Sequence, residues 1–586
     1  MMNLITNNID IWISSQKKRN TVGRGSGSKI EFYGINKLRD LILDLAVQGK
    51  LIPQDSKDEP ASELLRKVEE EKKQLVKAGK LKNQKKVEKI DYIDMPIETP
   101  IGWEWALIPQ VIKFDKYAIK RGPFGSSIKK DFFVPSGYKV YEQQHAIYDD
   151  FSLGQYYVDD KKFEELKAFE VNPNDIIISC SGTVGKVAIA PDWMEPGIIN
   201  QALLKLSLNQ NILINDYFKI LFPAFYMKTD TLSNLKGTAQ KNMVSVATLK
   251  SEPFPLPPIA EQVRIVKKVD ELMDLCDQLE QEEMGSKTTH LTLVKTLLNT
   301  LTSVETEEEF TKSWQQLSEH FDILFTTEES VEELKQAIFQ LAVMGKLLQQ
   351  DPNDEPASEL VNKIKKEKEI LVEEKKIRKQ KPLPIISNDE KPYNLPKSWE
   401  WCRLGNTGIG STGKTPSTKE SKYFNGEIPF IGPGQITPAG KLIRPDKFLT
   451  EEGLRNSTEA LNGDILMVCI GGSIGKSVIC DKRISFNQQI NAIKPIYISS
   501  QFLHITVSTN SFYQSVLEKA AGSATPIINR MKWEELLVPI APLNEQNRIV
   551  QKVNELLFLC DSLKENITKI QNTQLLLADA IVEKAI

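Results

Sequence analysis

The chain has 586 residues, more than one hydrophobic core usually serves, and its 40% hydrophobic and 26% charged residues are those of a globular protein. A formal net charge of −3 excludes binding to nucleic acid by bulk charge alone, since phosphate neutralisation needs clustered Lys and Arg, but it leaves local basic faces open. No uninterrupted apolar run approaches the ~20 residues of a membrane helix, and none of the four histidines sits in a CxxC or HExxH neighbourhood, which removes the usual zinc motifs.

In chain order, residues 1–30 are expected to be a flexible leader. Ile5 to Ile13 is weakly apolar and interrupted by Asn7, Asn8 and Asp10, and the basic, Gly/Ser-rich Lys17 to Lys29 follows it, so this is no signal peptide and a cytoplasmic protein is expected. Residues 31–95 form a helical region: Leu38, Leu41, Ile42, Leu45 and Ala46 make an i, i+3, i+4 stripe closed by Gly49. After a Pro/Asp/Ser turn, Pro60 opens a charged helix that leads to a basic linker at Lys80–Lys89. Residues 96–256 mix short apolar runs with Gly, Pro and Asn punctuation, the pattern of a mixed α/β domain. From Ile259 the period turns helical through Val263, Val266, Val269, Leu272, Leu275 and Leu279. Residues 257–394 hold this helix, a polar connector near 281–330 with no sequence counterpart, and a second helical region. Residues 395–539 form a second mixed domain, and residues 540–586 a closing long helix.

This order is a duplication. Leu45–Leu64, LAVQGKLIPQDSKDEPASEL, returns as LAVMGKLLQQDPNDEPASEL at Leu341–Leu360, and Leu256–Glu280 returns as Ile540–Lys564, with Glu261-Gln262 answering Glu545-Gln546. Between these anchors the domains share landmarks: Trp103-Glu104-Trp105 with Trp399-Glu400-Trp401, Asp175-Ile176 with Asp464-Ile465, Gly182–Lys186 with Gly472–Lys476, and Asn200-Gln201 with Asn487-Gln488. The expected fold is α+β (mixed), a pseudo-twofold internal repeat in which paired long antiparallel helices separate two heads. The terminal long helix should meet the first short helix as the central pair meet. Cys276 and Cys560 fall at matching helix positions, which points to buried thiols.

Several motifs carry chemistry. Gly408–Thr415 matches the P-loop G-x4-G-K-T, but no apolar strand precedes it and Pro416-Ser417 follows where a helix should start, so a polar loop is expected. The Gly-Thr-Val-Gly-Lys and Gly-Ser-Ile-Gly-Lys elements read as tight hairpin turns, with Thr183, Lys186, Ser473 and Lys476 placed to meet DNA phosphate. Lys120, Arg121, Ser126, Ser127 and Lys129 in the first domain, and Lys414, Ser417, Thr418 and Lys419 in the second, are candidate contacts of the same kind. Lys241-Asn242 and Asn529-Arg530 lie late in each domain and suit base edges, Asn for adenine and Arg for guanine. No methyltransferase or nuclease motif and no Rossmann fingerprint is present, and His145 and His504 form no catalytic pattern, so no chemistry of its own is expected of this chain.

On the duplicated LAV-x-GKL…DEPASEL segment, the Trp-Glu-Trp landmarks, the Gly-x-x-Gly-Lys turns, Thr415-Pro416-Ser417 with Tyr423 and Gly426-Glu427-Ile428-Pro429, and the paired Glu-Gln-x-Arg-Ile-Val helices, the chain resembles specificity subunits of Type I restriction-modification systems over nearly its whole length. The resemblance implies two target recognition domains, each reading half of a split double-stranded DNA sequence. It also implies two modification (methyltransferase) subunits using S-adenosylmethionine on adenine, and two restriction (motor and nuclease) subunits using ATP and magnesium. The chain itself would hold no cofactor and no metal, would be non-catalytic, and would bind DNA weakly when alone. A helix of ~24 residues spans ~36 Å, near one DNA turn, and could set the half-site spacing. The rival expectation is a two-headed protein scaffold that reads no DNA.

Overall fold

The computed structural model describes residues 2–20, 28–79, 81, 95, 97–229, 243, 245–304, 306–522 and 525–585. The chain divides into two compact units, residues 1–285 with 570–586, and residues 286–569. Each contains one head and one set of helices.

Each head is built on the same three sheets. In the first, strands order as Ile119–Arg121, Leu203–Leu206, Ile176–Ser179 and Val187–Ile189, all antiparallel. In the second the same order is Gly408–Thr412, Ile490–Pro495, Ile465–Val468 and Ser477–Ile479. The Ile176–Ser179 and Ile465–Val468 strands are buried on both faces, which is why they read as continuous apolar runs rather than alternating ones. Each run opens on an aspartate because that side chain accepts from the amide three residues earlier, Asp175 from Asn172 and Asp464 from Leu461, both at 2.9 Å. A second four-stranded sheet in each head contains one parallel pair, Tyr138–Tyr141 with Gly197–Ile199 and Phe424–Ile431 with Ile484–Phe486. A two-stranded ribbon closes each head, Glu104–Ala106 with Phe254–Leu256 and Glu400–Arg403 with Leu537–Ile540.

The duplicated motifs are the joint between head and helices. Helices Tyr33–Val47 and Glu328–Val343 end at Gly49 and Gly345, both at positive φ, where a Cβ would collide with Pro100 and Pro396. The Glu-Gln-x-Arg stretch then makes three locks. Glu261 accepts from Trp103 Nε1 and Glu545 from Trp399 Nε1, each at 3.0 Å. Gln262 accepts from the Ile214 amide at 3.0 Å and donates to the Ile212 carbonyl at 2.8 Å, while Gln546 accepts from the Ser499 amide at 2.9 Å. Arg264 pairs with Asp58 and Arg548 with Asp354, each at 2.5 Å, and these aspartates are the first residues of the two Asp-Glu-Pro-Ala-Ser-Glu-Leu segments. A sequence kept twice is therefore a set of polar contacts kept twice, those of the Glu and Gln buried and those of the Arg part-exposed.

Two expectations are corrected. The 1–30 stretch is not simply a flexible leader: Met2–Thr6 and Ile9–Ser14 are helices, Lys17–Asn20 pairs with Ser28–Glu31, and Ile5 and Trp12 are buried in the same core as Ala578. The spacing of Ile5, Ile9 and Trp12 is the i, i+4, i+7 stripe that makes this possible. The 281–330 connector likewise has a counterpart. It completes a helix running from Ile259 to Ser303 and adds Glu307–Glu319 and Phe321–Leu324, which bury Leu317 and Leu324 against Val331 and Leu334. Leader and connector thus do the same work ahead of the two short helices. The long helices, Ile259–Ser303 and Leu543–Ala585, have 45 and 43 residues, nearly twice the ~24 on which a one-turn ruler rested.

The expected exchange of helices is present within each unit. The short helix Tyr33–Val47 ties Arg39 to Asp277 (2.5 Å) and Glu280 (2.7 Å) of the first long helix and Lys37 to Asp579 (2.9 Å) of the second. Its repeat ties Lys335 to Asp561 (2.6 Å) and Glu333 to Lys295 (3.2 Å). The pairs Lys335–Asp561, Glu332–Lys564 and Glu328–Thr568 descend one helix as they climb the other, an antiparallel register. All six cysteines are buried and free, Cys276 and Cys560 among them.

Candidate nucleic-acid interface

In both heads a buried cysteine organises the variable loops. Cys180 follows the central strand; its amide donates to the Ala202 carbonyl at 2.8 Å and its carbonyl accepts from the Met243 amide at 2.9 Å. Cys469 does the same with the Gln489 carbonyl at 2.8 Å and the Ile528 amide at 3.0 Å. One side of each cysteine is the Asn-Gln turn, the other the late loop, and ahead lies the Gly-rich hairpin. Sequence reasoning passed over this pair. The available signal was a cysteine closing each apolar run just before the glycines.

The hairpins are as expected. Ser179 and Lys186 exchange 2.9 Å bonds across the first, Gly182 and Gly185 have φ of 69° and 87°, and Thr183 and Lys186 are exposed. In the second, Gly471 and Gly475 have φ of 92° and 87°, and Ser473 and Lys476 are half-buried. Burial lifts the Cys180 and Cys469 thiols to about 12, so they are inert packing groups.

Arg121 joins the first hairpin by donating to the Cys180 carbonyl at 3.4 Å. Its neighbour Lys120 lies on the opposite face of the strand, its ammonium 5.1 Å from the Phe169 ring, so these two adjacent candidates are parted. Ser126 and Ser127 sit in the turn Gly125–Ser127, with Lys129 exposed beyond it. Phe124, which sequence reasoning did not single out, is 87% exposed in the same loop. Lys241 and Asn242 lie outside the described residues.

In the second head Gly408–Thr412 is an edge strand, not a phosphate loop, and no α-helix follows it before Glu451. Its glycines answer to close packing: a Cβ at Gly408 would strike the Lys494 carbonyl, at Gly410 the Glu534 carboxylate and at Gly413 the Asn487 carbonyl. Lys414, Ser417, Thr418 and Lys419 are exposed on the loop that follows, and Thr415 pins that loop by donating to Gln488 Oε1 at 2.6 Å. Asn529 caps the helix Arg530–Glu534, its oxygen accepting from the Lys532 amide at 2.9 Å, so the cap fixes how this side chain is held. Arg530 is exposed but pairs with Glu534 at 3.3 Å and reaches the Gly410 carbonyl at 3.4 Å.

Of the two candidate histidines His145 is buried in the frame and His504 half-buried. The Glu142 amide donates to His145 Nδ1 at 2.9 Å, and His504, whose pKa burial lowers, lies 3.3 Å from Ser477 Oγ. Among the described residues no group of three or more His, Cys, Asp or Glu is placed to hold a metal ion, and no helix is long and apolar enough to cross a membrane.

The model of the Type I restriction modification DNA specificity domain matches twice, over residues 125–284 and 396–572, once per head. The chain is 36% identical over its full length to the Type I restriction enzyme EcoAI specificity subunit of Escherichia coli, covering 99% of that protein, and 35% identical, with the same coverage, to the EcoEI specificity subunit of Escherichia coli. A crystal structure of the HsdS subunit from Thermoanaerobacter tengcongensis aligns with 84% of this chain and 98% of its own at 17% identity and a TM-score of 0.39. On its sequence alone, matched end to end, the chain belongs to the Type I restriction-modification DNA specificity family.

Proposed function

We propose that this chain chooses the DNA sequence on which a Type I restriction-modification complex acts, each head reading one half of a split, asymmetric target. The observation that carries this is one rigid frame built twice with different loops on it, in a chain matching specificity subunits over its whole length. Two copies of one loop would read a symmetric sequence, whereas different loops on equal frames read two unrelated half-sites. The long helices fix the separation of the half-sites and dock two modification subunits, and two restriction subunits complete the assembly in the cytoplasm. S-adenosylmethionine, ATP and magnesium belong to those partners. This chain is the non-catalytic reader.

The near-neutral charge fits this division, since the partners supply part of the phosphate clamp. The test is methylation mapping by long-read sequencing in cells expressing the chain with its modification subunit, repeated with residues 96–256 exchanged for those of a relative. A split adenine-methylated motif in which one half alone changes is the expected result. An active modification subunit that leaves no split motif would sink the reading in favour of a protein scaffold.

A further inference from the structure

Among the described residues most side chains on the variable loops differ between the heads, but the glutamine of the Asn-Gln turn recurs and is exposed in both. Gln201 and Gln488 occupy the same turn, each exposed, each after an asparagine whose Oδ1 accepts from the amide two residues on at 3.0 Å. The turn is over-determined in the same way twice. The Asn200 amide donates to the Tyr141 carbonyl at 2.9 Å and the Asn487 amide to the Ile431 carbonyl at 3.0 Å. The asparagine carbonyls accept from Leu203 and Ile490 at 3.2 and 3.1 Å, and each is covered by a glycine, Gly122 or Gly413, with no room for a Cβ. Two heads with different loops thus hold a glutamine at one fixed place.

Resting on the proposed function, we infer that Gln201 and Gln488 are specificity-determining residues that read what the two half-sites have in common, the A·T pair carrying the methyl-acceptor adenine. A residue serving only one half-site's private sequence has no reason to recur in the other head, while every half-site must present an adenine to the same modification subunit. A carboxamide offers a donor and an acceptor side by side, the complement of an adenine edge. The second glutamine is already oriented: Thr415 donates to its Oε1 at 2.6 Å, which occupies one of the oxygen's two lone pairs and leaves the other to accept and the –NH2 group to donate. The Gln201 amide has no hydrogen-bond partner among the described residues. It lines a cavity of about 210 Å3 together with Lys130, Glu142 and the stacked Phe133–Tyr156 pair, whose rings are 4.6 Å apart.

The test uses the chain in complex with its modification subunits and duplexes carrying the mapped motif, with the acceptor A·T pair of one half-site or the other replaced by G·C. Wild type should bind each altered duplex about tenfold to a hundredfold more weakly than the cognate one. Gln201→Ala should abolish that discrimination in one half-site only and Gln488→Ala in the other, with melting temperatures within about 2 °C of wild type, since both side chains are exposed and Gln488 loses only the bond from Thr415. Retention of full wild-type discrimination by both variants overturns the assignment. So does an equal loss of affinity on all three duplexes, which would mark the glutamines as backbone contacts. Failure of wild type to prefer the cognate duplex over unrelated DNA would instead count against the proposed function.

Discussion

At one turn the first head packs Gly122 on the Asn200 carbonyl and the second packs Gly413 on the Asn487 carbonyl, yet the chain diverges immediately after. The first continues Pro123-Phe124-Gly125-Ser126-Ser127, the second Lys414-Thr415-Pro416-Ser417-Thr418. The glycine packed on the frame is kept in both heads, while Arg121 and Thr412 before it and Pro123 and Lys414 after it already differ. The comparison separates residues that hold a head together from those free to read DNA, and each class responds differently to substitution.

The largest effect is expected in the frame. Gly413→Ala must push a methyl into the Asn487 carbonyl and the Phe486 ring, neither of which can swing aside, since both lie in the strand and turn beneath. Overpacking of this kind costs about 3 kcal/mol. Thermal melting should fall by roughly 5–10 °C. Gly434→Ala, where a Cβ meets nothing within 4 Å, should melt within about 2 °C of wild type. Equal melting temperatures for the two variants would break the distinction between frame glycines and loop glycines.

A smaller effect sharpens the comparison of the two joints. In the first, Gln54 donates to Glu261 Oε1 at 3.3 Å; in the second, Gln350 turns its own oxygen to Trp399 Nε1 at 3.1 Å, and Glu545 Oε1 has no partner among the described residues. Burial raises both carboxyls above the ordinary 4.5. A carboxyl raised in the folded state stabilises fully below its unfolded pKa, and that contribution is lost as pH rises through the folded value. Stability should therefore decline above about pH 4.5 on account of these groups. Glu545→Gln keeps the acceptor for Trp399 and removes the charge, so it should recover about 1 kcal/mol at pH 8 and nothing at pH 4. Glu261→Gln should recover less, because its carboxylate already has the Gln54 bond. Calorimetric melting across that range decides, and a Glu545→Gln variant that tracks wild type at every pH would contradict the account.

The joint was legible in the sequence because the same chemical groups must meet at both copies. Trp103 with Glu261 and Trp399 with Glu545 cannot drift without orphaning a buried carboxylate, so both motifs stand out. The strands, hairpins and buried thiols were legible for similar reasons, from continuous apolar runs and paired glycines. Where packing alone is at stake, repetition fades. Trp12 does for the first unit what Leu317 and Leu324 do for the second, and no residue comparison reveals it, because any large apolar side chain fills such a space. Local patterns also misdirect when backbone needs imitate ligand chemistry. Gly408–Thr415 spells a phosphate loop because an edge strand crowded by Lys494, Glu534 and Asn487 needs the same glycines. Asn529 suits adenine by residue type but is committed to a helix cap.

Phe124 marks the other extreme, a residue with nothing to do for the fold. It is 87% exposed between Pro123 and Gly125, on a loop whose glycine anchor is a frame contact. A single exposed ring is ordinary on a protein surface, but a glycine-hinged aromatic beside Ser126, Ser127 and Lys129 has the chemistry for stacking on a base. Phe124→Ala should leave melting within about 1 °C of wild type, because no buried contact is lost. It should weaken binding of the assembled complex to its cognate duplex by roughly tenfold or more. The dependence of that affinity on salt should keep its slope, since no cation is removed, whereas Lys129→Ala should make the slope shallower if Lys129 meets phosphate. The second head has Thr415 rather than an aromatic in this loop, so the loss should be confined to the half-site that Gln201→Ala affects. Unchanged affinity for the Phe124 variant would show that this exposed ring faces away from the DNA, and the reading surface of the first head would then lie on the side of Arg121 and the Gly182–Lys186 turn.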